Sequence, residues 1–281
     1  MANDPRKEPL ARVVLVGVTG RMGQALLRAA PGFPQLLITG AVASTASLAL
    51  GRDAGQIAGL APTNLTVTSD LKRALADADV AIDFSHAAVT GATVAACRAA
   101  RKPLLIGTTG LEAALEPAIA AAAGEIALMV APNTSIAVAL LTELVRQSAR
   151  TLPASFDIDV LELHHRMKHD APSGTALTLG RAAAGARGLP LPSSVTPPPG
   201  GAAGQEGRPA GQVGITSVRA GDLVGDHTVL FSGPGEQLAL SHRASDREIF
   251  ARGALTAALW LMSQPAGRYT MRDFIGYKTL A

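Results

Sequence analysis

The chain has 281 residues, 48% hydrophobic and 17% charged, enough apolar material for a buried core and too little charge for an extended disordered protein. With 25 Lys and Arg against 22 Asp and Glu the net charge is only +3, and aromatic residues make up 3%, so neither a phosphate-backbone binder nor a base-stacking surface is indicated. No apolar run approaches the roughly 20 residues of a membrane helix, and 29 Gly with 18 Pro suit a loop-rich α/β protein.

The first apolar stretch, Val13–Val18, is strand-length rather than signal-length, which makes a cytoplasmic protein the expectation. Arg12–Val16 reads as a strand, Gly17–Gly20 as a turn, and Met22–Ala30 as a helix stopped by Pro31. The pattern repeats, with strands expected at Leu36–Val42, Leu65–Thr68, Val80–Phe84, Pro103–Ile106 and Ala127–Val130, and helices at Leu71–Ala76, Val89–Ala100 and Leu111–Ala123. Short apolar strands alternating with helices imply a parallel sheet covered on both faces. Residues 1–135 therefore read as an α/β, Rossmann-like doubly wound dinucleotide-binding domain. The single Cys97, in the Ala-rich run Thr93–Ala100, cannot form an intramolecular disulfide and reads as helix packing in a reducing compartment.

After Pro132 the rhythm changes to a long helix, Ile136–Leu152, a strand, Phe156–His164, a polar and basic loop, and a helix from about Thr175. Gly188–Gly214 is too rich in Pro and Gly for a core element and reads as a mobile loop or an arm between subunits. Strands at Val213–Arg219, His227–Ser232 and Gln237–His242 suggest an antiparallel or mixed sheet, and Ser245 with Glu248 has capping-box spacing ahead of the helix Ile249–Met262. Residues 136–244 thus read as a second, α+β domain, with 245–281 returning to the first.

Gly17-Val18-Thr19-Gly20-Arg21-Met22-Gly23 lies between a strand and a helix, where backbone N–H groups and the helix dipole favour a pyrophosphate. Its G-x-x-G-x-x-G spacing is one residue longer than the dinucleotide fingerprint, and a tight turn without a ligand would use the same glycines. The second strand ends Ala43-Ser44-Thr45, without the acid that holds a ribose 2′-hydroxyl. Ser44 and Thr45, with Arg21 or Arg52, permit a 2′-phosphate, so NADPH or NADH is the expected cofactor. Asp83–His86, Gly107-Thr108-Thr109-Gly110 and Ala131-Pro132-Asn133-Thr134-Ser135 also fall just beyond strand ends, where ligands of open parallel sheets collect. Asn133 suits either a helix cap or a hydrogen bond to a nicotinamide amide.

Glu162–Ala176, ELHHRMKHDAPSGTA, is the most informative stretch. His164, His165, Arg166, Lys168 and His169 crowd ahead of a helix start marked by Pro172-Ser173-Gly174-Thr175. The N–H groups of Gly174 and Thr175 and the Thr175 hydroxyl can hold a carboxylate, with Lys168 or Arg166 as countercharge, so a small dicarboxylate fits. Histidine exchanges protons near neutral pH and a lysine among cations has its charged form disfavoured, which makes His164 and Lys168 candidate proton donors. A metal is not expected: the spacing is not His-Glu-x-x-His, and Glu162 and Asp170 sit among competing cations.

Taken together, VGVTGRMG at Val16–Gly23, DFS at Asp83–Ser85, GTTG at Gly107–Gly110, the Glu162–Ala176 segment and RAGDLVGDHTVLF at Arg219–Phe231 resemble the dihydrodipicolinate reductase family over essentially the whole chain. The resemblance implies NAD(P)H-dependent reduction of 4-hydroxy-tetrahydrodipicolinate in lysine and diaminopimelate biosynthesis, by a homotetramer with no nucleic-acid or membrane partner. It implies His164 and Lys168 as catalytic residues and His165, Gly174 and Thr175 as substrate-binding residues. Cofactor contacts would fall on Gly17, Val18, Thr19, Gly20, Arg21, Met22, Gly107, Thr108, Thr109, Ala131, Pro132, Asn133 and Thr134. Two departures stand out: Ala43 and Ser44 replace an acid followed by Arg, which argues against NADH preference, and Pro132-Asn133-Thr134-Ser135 lacks the aromatic residue of Ala-Asn-Phe-Ser. The alternatives are another NAD(P)-dependent amino-acid or oxo-acid dehydrogenase, against which His164–Lys168 argues, and a non-catalytic NAD(P)H sensor.

Overall fold

A computed structural model describes residues 10–192 and 211–276. Most of the expected arm, Gly188–Gly214, lies outside the described residues. The chain divides into two compact units, the first containing residues 10–135 and 248–274, the second 136–247 with Ile275 and Gly276.

The first unit is built on β1 (Ala11–Val16), β2 (Leu36–Val42), β3 (Val67–Thr68), β4 (Val80–Asp83), β5 (Leu104–Ile106), β6 (Ala127–Val130) and, from far along the chain, β11 (Gly267–Tyr269). Every pairing is parallel, in the order β11-β6-β5-β4-β1-β2-β3. Crossovers run through α1 (Arg21–Ala29), α2 (Ala54–Ile57), α3 (Leu71–Ala76), α4 (Ala87–Ala99) and α5 (Glu116–Ala123). The strands are apolar throughout because both faces of a doubly wound sheet are covered, and Val14, Ala81, Leu104, Ile106 and Leu128 join Val94, Cys97 and Ile119 in one core cluster. Burial, with a smaller contribution from Asp83, pushes the Cys97 thiol up to about 12, which suits a packing residue rather than a nucleophile.

Several boundaries differ from the sequence reading. The expected strand Leu65–Thr68 shrinks to the two residues of β3, and the stretch expected to be helical from Leu111 holds a single 3₁₀ turn, Ala113–Leu115, before α5 opens on Glu116-Pro117. Pro117 fits there because the first turn of a helix has no use for its missing N–H. Similarly, α2 forms in a segment to which the sequence reading assigned no element, its first turn capped by Asp53, which accepts from Gln56 N–H at 3.0 Å.

In the second unit α6 (Ile136–Thr151) leads to β7 (Asp157–His164), α7 (Gly174–Arg187), β8 (Val213–Arg219), β9 (Gly225–Gly233) and β10 (Glu236–Ala244). The sheet order is β10-β9-β7-β8, with β7 parallel to β8 and antiparallel to β9, so the sheet is mixed. One face packs on α6 and α7 through Ile158, Val160, Ile215, Val229 and Phe231 against Leu141, Val145 and Leu179. Arg187, at the end of α7, donates to the carbonyls of Ala149, Leu152, Pro153 and Phe156 and so satisfies acceptors that the end of α6 leaves open. Gly188 then takes the left-handed conformation, φ +66°, that ends α7.

Finally α8 (Glu248–Leu261) and α9 (Met271–Phe274) bracket β11, and α8 lies against α1, β4 and β5. β10 runs to Ala244 and α8 begins at Glu248, so Ser245 sits two residues before the position a cap would occupy, and the expected capping box does not form. Among the described residues no helix is long and apolar enough to cross a membrane.

Candidate active site

In the first unit the loops after β1, β4, β5 and β6 leave the same edge of the parallel sheet, and the order of strands places the change of winding direction between β1 and β4. Gly17 stands there at φ +83°; a Cβ on it would lie 2.5 Å from the Phe84 carbonyl oxygen. A Cβ on Gly23 would lie 2.4 Å from the Gly17 oxygen, and one on Gly107 would run into the Phe84 ring at 2.2 Å. The three glycines thus let two loops and the first turn of α1 close around Phe84. Gly20 occupies the cap position of α1 with no side chain on its N–H groups and no acid in the first turn, the arrangement that favours an anion.

The other residues expected to contact a cofactor divide by what their side chains already do. Thr108 Oγ1 donates to the backbone oxygen and to the carboxylate of buried Asp83, both at 3.3 Å, and Thr134 Oγ1 donates to the Phe250 carbonyl at 2.6 Å. Both hydroxyls hold loops in place, which leaves backbone groups as their free contribution to a ligand. Asn133 accepts from Ser135 N–H at 2.9 Å, a short turn just ahead of α6. By contrast Arg21, Thr109 and Pro132 are exposed, and so are Ser44, Thr45 and Arg52 beyond β2.

In the second unit β7 delivers His164, His165 and the turn carrying Lys168 next to the start of α7. Ser173 caps α7, its Oγ accepting from Ala176 N–H at 3.2 Å, and places Gly174 and Thr175 in the opening turn. Lys168 is not left among cations: Asp170 holds its Nζ at 2.7 and 2.8 Å. Arg247 reaches the same place, its Nη2 lying 3.2 Å from His165 Nε2. Sequence reasoning missed Arg247, whose only signal is a basic residue at the junction before α8.

Behind these cations lies a buried polar group. Glu162, fully buried two residues before His164 on the same face of β7, contacts His164 Nδ1 through Oε2. Its Oε1 accepts from Arg219 Nη2 at 2.8 Å and from Ser173 N–H at 3.3 Å. Burial alone would raise the Glu162 carboxyl, but the adjoining His164 and the Arg219 guanidinium hold it well below the usual carboxylate range. His227, opposite Glu162 in register, lies 3.1 Å from Ser173 Oγ through Nε2 and meets the His164 ring edge-on, centroids 5.1 Å apart. Glu162, His164 and His227 bring possible metal-ligand atoms within 4.8 Å of one another, yet the Arg219 guanidinium on Glu162 opposes a cation at that place.

Burial, then the His164 charge, pushes His227 down to about 4, and burial also lowers His242. His227 is therefore neutral when folded but takes up a proton when unfolded below about pH 6.5. The unfolded state then binds more protons, so stability falls as pH drops from about 6.5 towards 4. Urea unfolding at pH 7.5 and 5.0 should show a loss on the order of 2 kcal/mol from His227. His227→Gln should flatten that dependence; an unchanged slope in the variant would place the acid sensitivity elsewhere.

Models of the dihydrodipicolinate reductase N-terminus and C-terminus match residues 11–134 and 137–275. The chain is 46% identical over 271 residues to a Rhizobium rhizogenes protein named 4-hydroxy-tetrahydrodipicolinate reductase, covering 95% of this chain and 97% of that one. It is 43% identical over 269 residues to one of the same name from Anaeromyxobacter dehalogenans, covering 96% and 99%. Among solved structures, a dipicolinate-bound dihydrodipicolinate reductase from Paenisporosarcina sp. TG-14 superposes with a TM-score of 0.74 at 24% identity, over 93% of this chain and 97% of that chain, a likeness of fold.

Proposed function

The chain belongs to the dihydrodipicolinate reductase family, and on that premise we propose how it reduces 4-hydroxy-tetrahydrodipicolinate with a pyridine nucleotide in the lysine and diaminopimelate route. The site assignment is supported by three contacts of the second unit: Lys168 on Asp170, Arg247 beside His165, and His164 on Glu162, whose Oε1 also accepts from Ser173 N–H at the start of α7. Cations and a helix N-terminus suit a substrate with two carboxylates.

Lys168, His165, Gly174 and Thr175 would hold the substrate carboxylates, with Asp170 orienting the Lys168 ammonium until the substrate takes its place. The nucleotide fits the first unit on structural grounds: the turn at Gly17 has room for backbone approach but none for a Cβ, and α1 opens without a capping side chain. Gly17 to Met22, Gly107 to Thr109 and Ala131 to Thr134 would hold it; when bound, its reduced nicotinamide supplies a hydride. Loss of the 4-hydroxyl with a neighbouring ring proton as water gives a conjugated imine; once C4 has received the hydride, the resulting enamine carbon takes a proton, which His164 or Lys168 would donate.

NADPH and NADH are both proposed as donors, with exposed Ser44, Thr45, Arg21 and Arg52 available to a 2′-phosphate. A homotetramer is proposed through the second unit, supported by the half-exposed Leu161, Leu163, Val218 and Leu230 on the sheet face turned away from α6 and α7. A cytoplasmic location accords with the buried, unpaired Cys97.

The test is oxidation of NADPH and of NADH with substrate generated in place from pyruvate and aspartate semialdehyde by the preceding synthase. Substrate-dependent oxidation with at least one nucleotide is expected. Nucleotide binding without oxidation would overturn the reading and favour a non-catalytic binding protein.

A further inference from the structure

We propose that Glu162, clamped by Arg219, is a positioning residue for the reaction: it fixes the His164 proton on Nδ1, so that Nε2 is the atom that delivers a proton, and ties that imidazole to the helix start that receives the substrate carboxylate. The inference rests on the function proposed above and deepens it.

Three observations converge on Glu162. Glu162 Oε2 lies against His164 Nδ1 as an ion pair without hydrogen-bond geometry; two lone pairs do not share so close a contact, so the ionised carboxylate favours the proton on that nitrogen. Nε2 is left as the exchanging atom, and it faces Gly225, where a Cβ would approach it to 2.9 Å. Second, Ser173 donates its N–H to Glu162 Oε1 while capping α7 through its Oγ, so one carboxylate holds both the imidazole and the opening turn with Gly174 and Thr175. Third, Arg219 Nη2 bridges Glu162 Oε1, at 2.8 Å, and the Asp170 carbonyl, at 2.6 Å, and Asp170 is the partner of Lys168. Both candidate proton donors are therefore referred to one buried ion pair.

The strand register explains why the group assembles. His242, His227, Glu162 and Ser217 pair in one row across β10, β9, β7 and β8, and His164 pairs with Arg219 in the next row. The charged and titratable groups around His164 are thus Glu162 on its own strand, Arg219 on β8, Asp226 and His227 on β9 and His242 on β10, while α7 contributes Ser173. His227 is neutral, which leaves Glu162 as the ionised group in direct contact with the His164 ring.

Glu162→Gln keeps size and burial but removes the charge. In the variant kcat should fall tenfold to a hundredfold, with the nucleotide Kd and the substrate KM within threefold of wild type. The alkaline fall-off of kcat should move to lower pH by about one unit, because the imidazolium has lost its countercharge. Glu162→Asp, which restores the charge at a shorter reach, should recover the wild-type pH profile while kcat stays reduced. An unshifted profile with kcat within twofold of wild type would overturn the proposal. Nitrogen-15 NMR of the wild-type protein judges it independently of any variant: neutral His164 should carry its proton on Nδ1, and a proton on Nε2 would refute it. Wild-type enzyme without turnover would sink the reductase reading alone, since the NMR result still decides the tautomer.

Discussion

Lys168→Ala is expected to lower kcat/KM by about 10³-fold, the combined loss of a carboxylate countercharge and of a proton donor whose contribution is typically 10²–10⁴. Lys168 pairs with exposed Asp170 and takes no part in the apolar cluster of the second unit, so its removal leaves that core untouched. An ion pair with one exposed partner contributes at most about 1 kcal/mol to stability, so the melting temperature should shift by only a few degrees. Nucleotide affinity should be unchanged, since the glycine turn belongs to the other unit. Steady-state kinetics with the synthase-generated substrate, alongside calorimetric titration of NADPH, separates these quantities. A loss smaller than tenfold would remove Lys168 from the chemistry and leave His164 as the donor.

Gly17→Ala should have the opposite signature. A Cβ at φ +83° is strained in itself, by roughly 1–2 kcal/mol, and here it would also press into the Phe84 carbonyl at 2.5 Å and the Ser85 Cα at 2.7 Å. All the named atoms belong to backbone, so no side-chain rotation relieves the contact and the turn must open away from the loop after β4. Calorimetric titration should show nucleotide affinity weakened at least a hundredfold, about 2.7 kcal/mol. Binding of dipicolinate, a dicarboxylate probe for the second unit, should persist. If NADPH binds the variant with wild-type affinity, the phosphate-cradling role of this turn is wrong.

The first half of the fold was legible because its strands are buried on both faces, so apolar runs bounded by Gly, Asp and Pro mark them without reference to partners. The glycine turn after β1 and the capped start of α7 were legible for a related reason: each is a local pattern set within a few residues. What escaped reading depends on distant pairing. β11 is three residues, Gly267–Tyr269, given strand geometry only by β6, and α2 is a single capped turn inside a polar stretch. Alternation along β7 does place Glu162 and His164 on one face, but the arrival of Arg219 and His227 beside them follows from register across three strands. Arg219 and His227 were visible in the sequence as members of one motif, yet no spacing within it states whom they meet.

The return of residues 248–274 to the first unit has a consequence for biosynthesis. Domains ordinarily fold in the order in which the ribosome releases them. Here the nascent chain emerges with β1 to β6 and every glycine of the turn after β1, yet β6 has no outer neighbour until β11 is made, and β4 and β5 lack the cover of α8. The second unit, all of whose elements lie between Ile136 and Arg247, has every helix and strand translated before that closure can occur. The half made first is thus the half completed last, and throughout that interval an apolar sheet edge stands open to association with other chains or to capture by a chaperone.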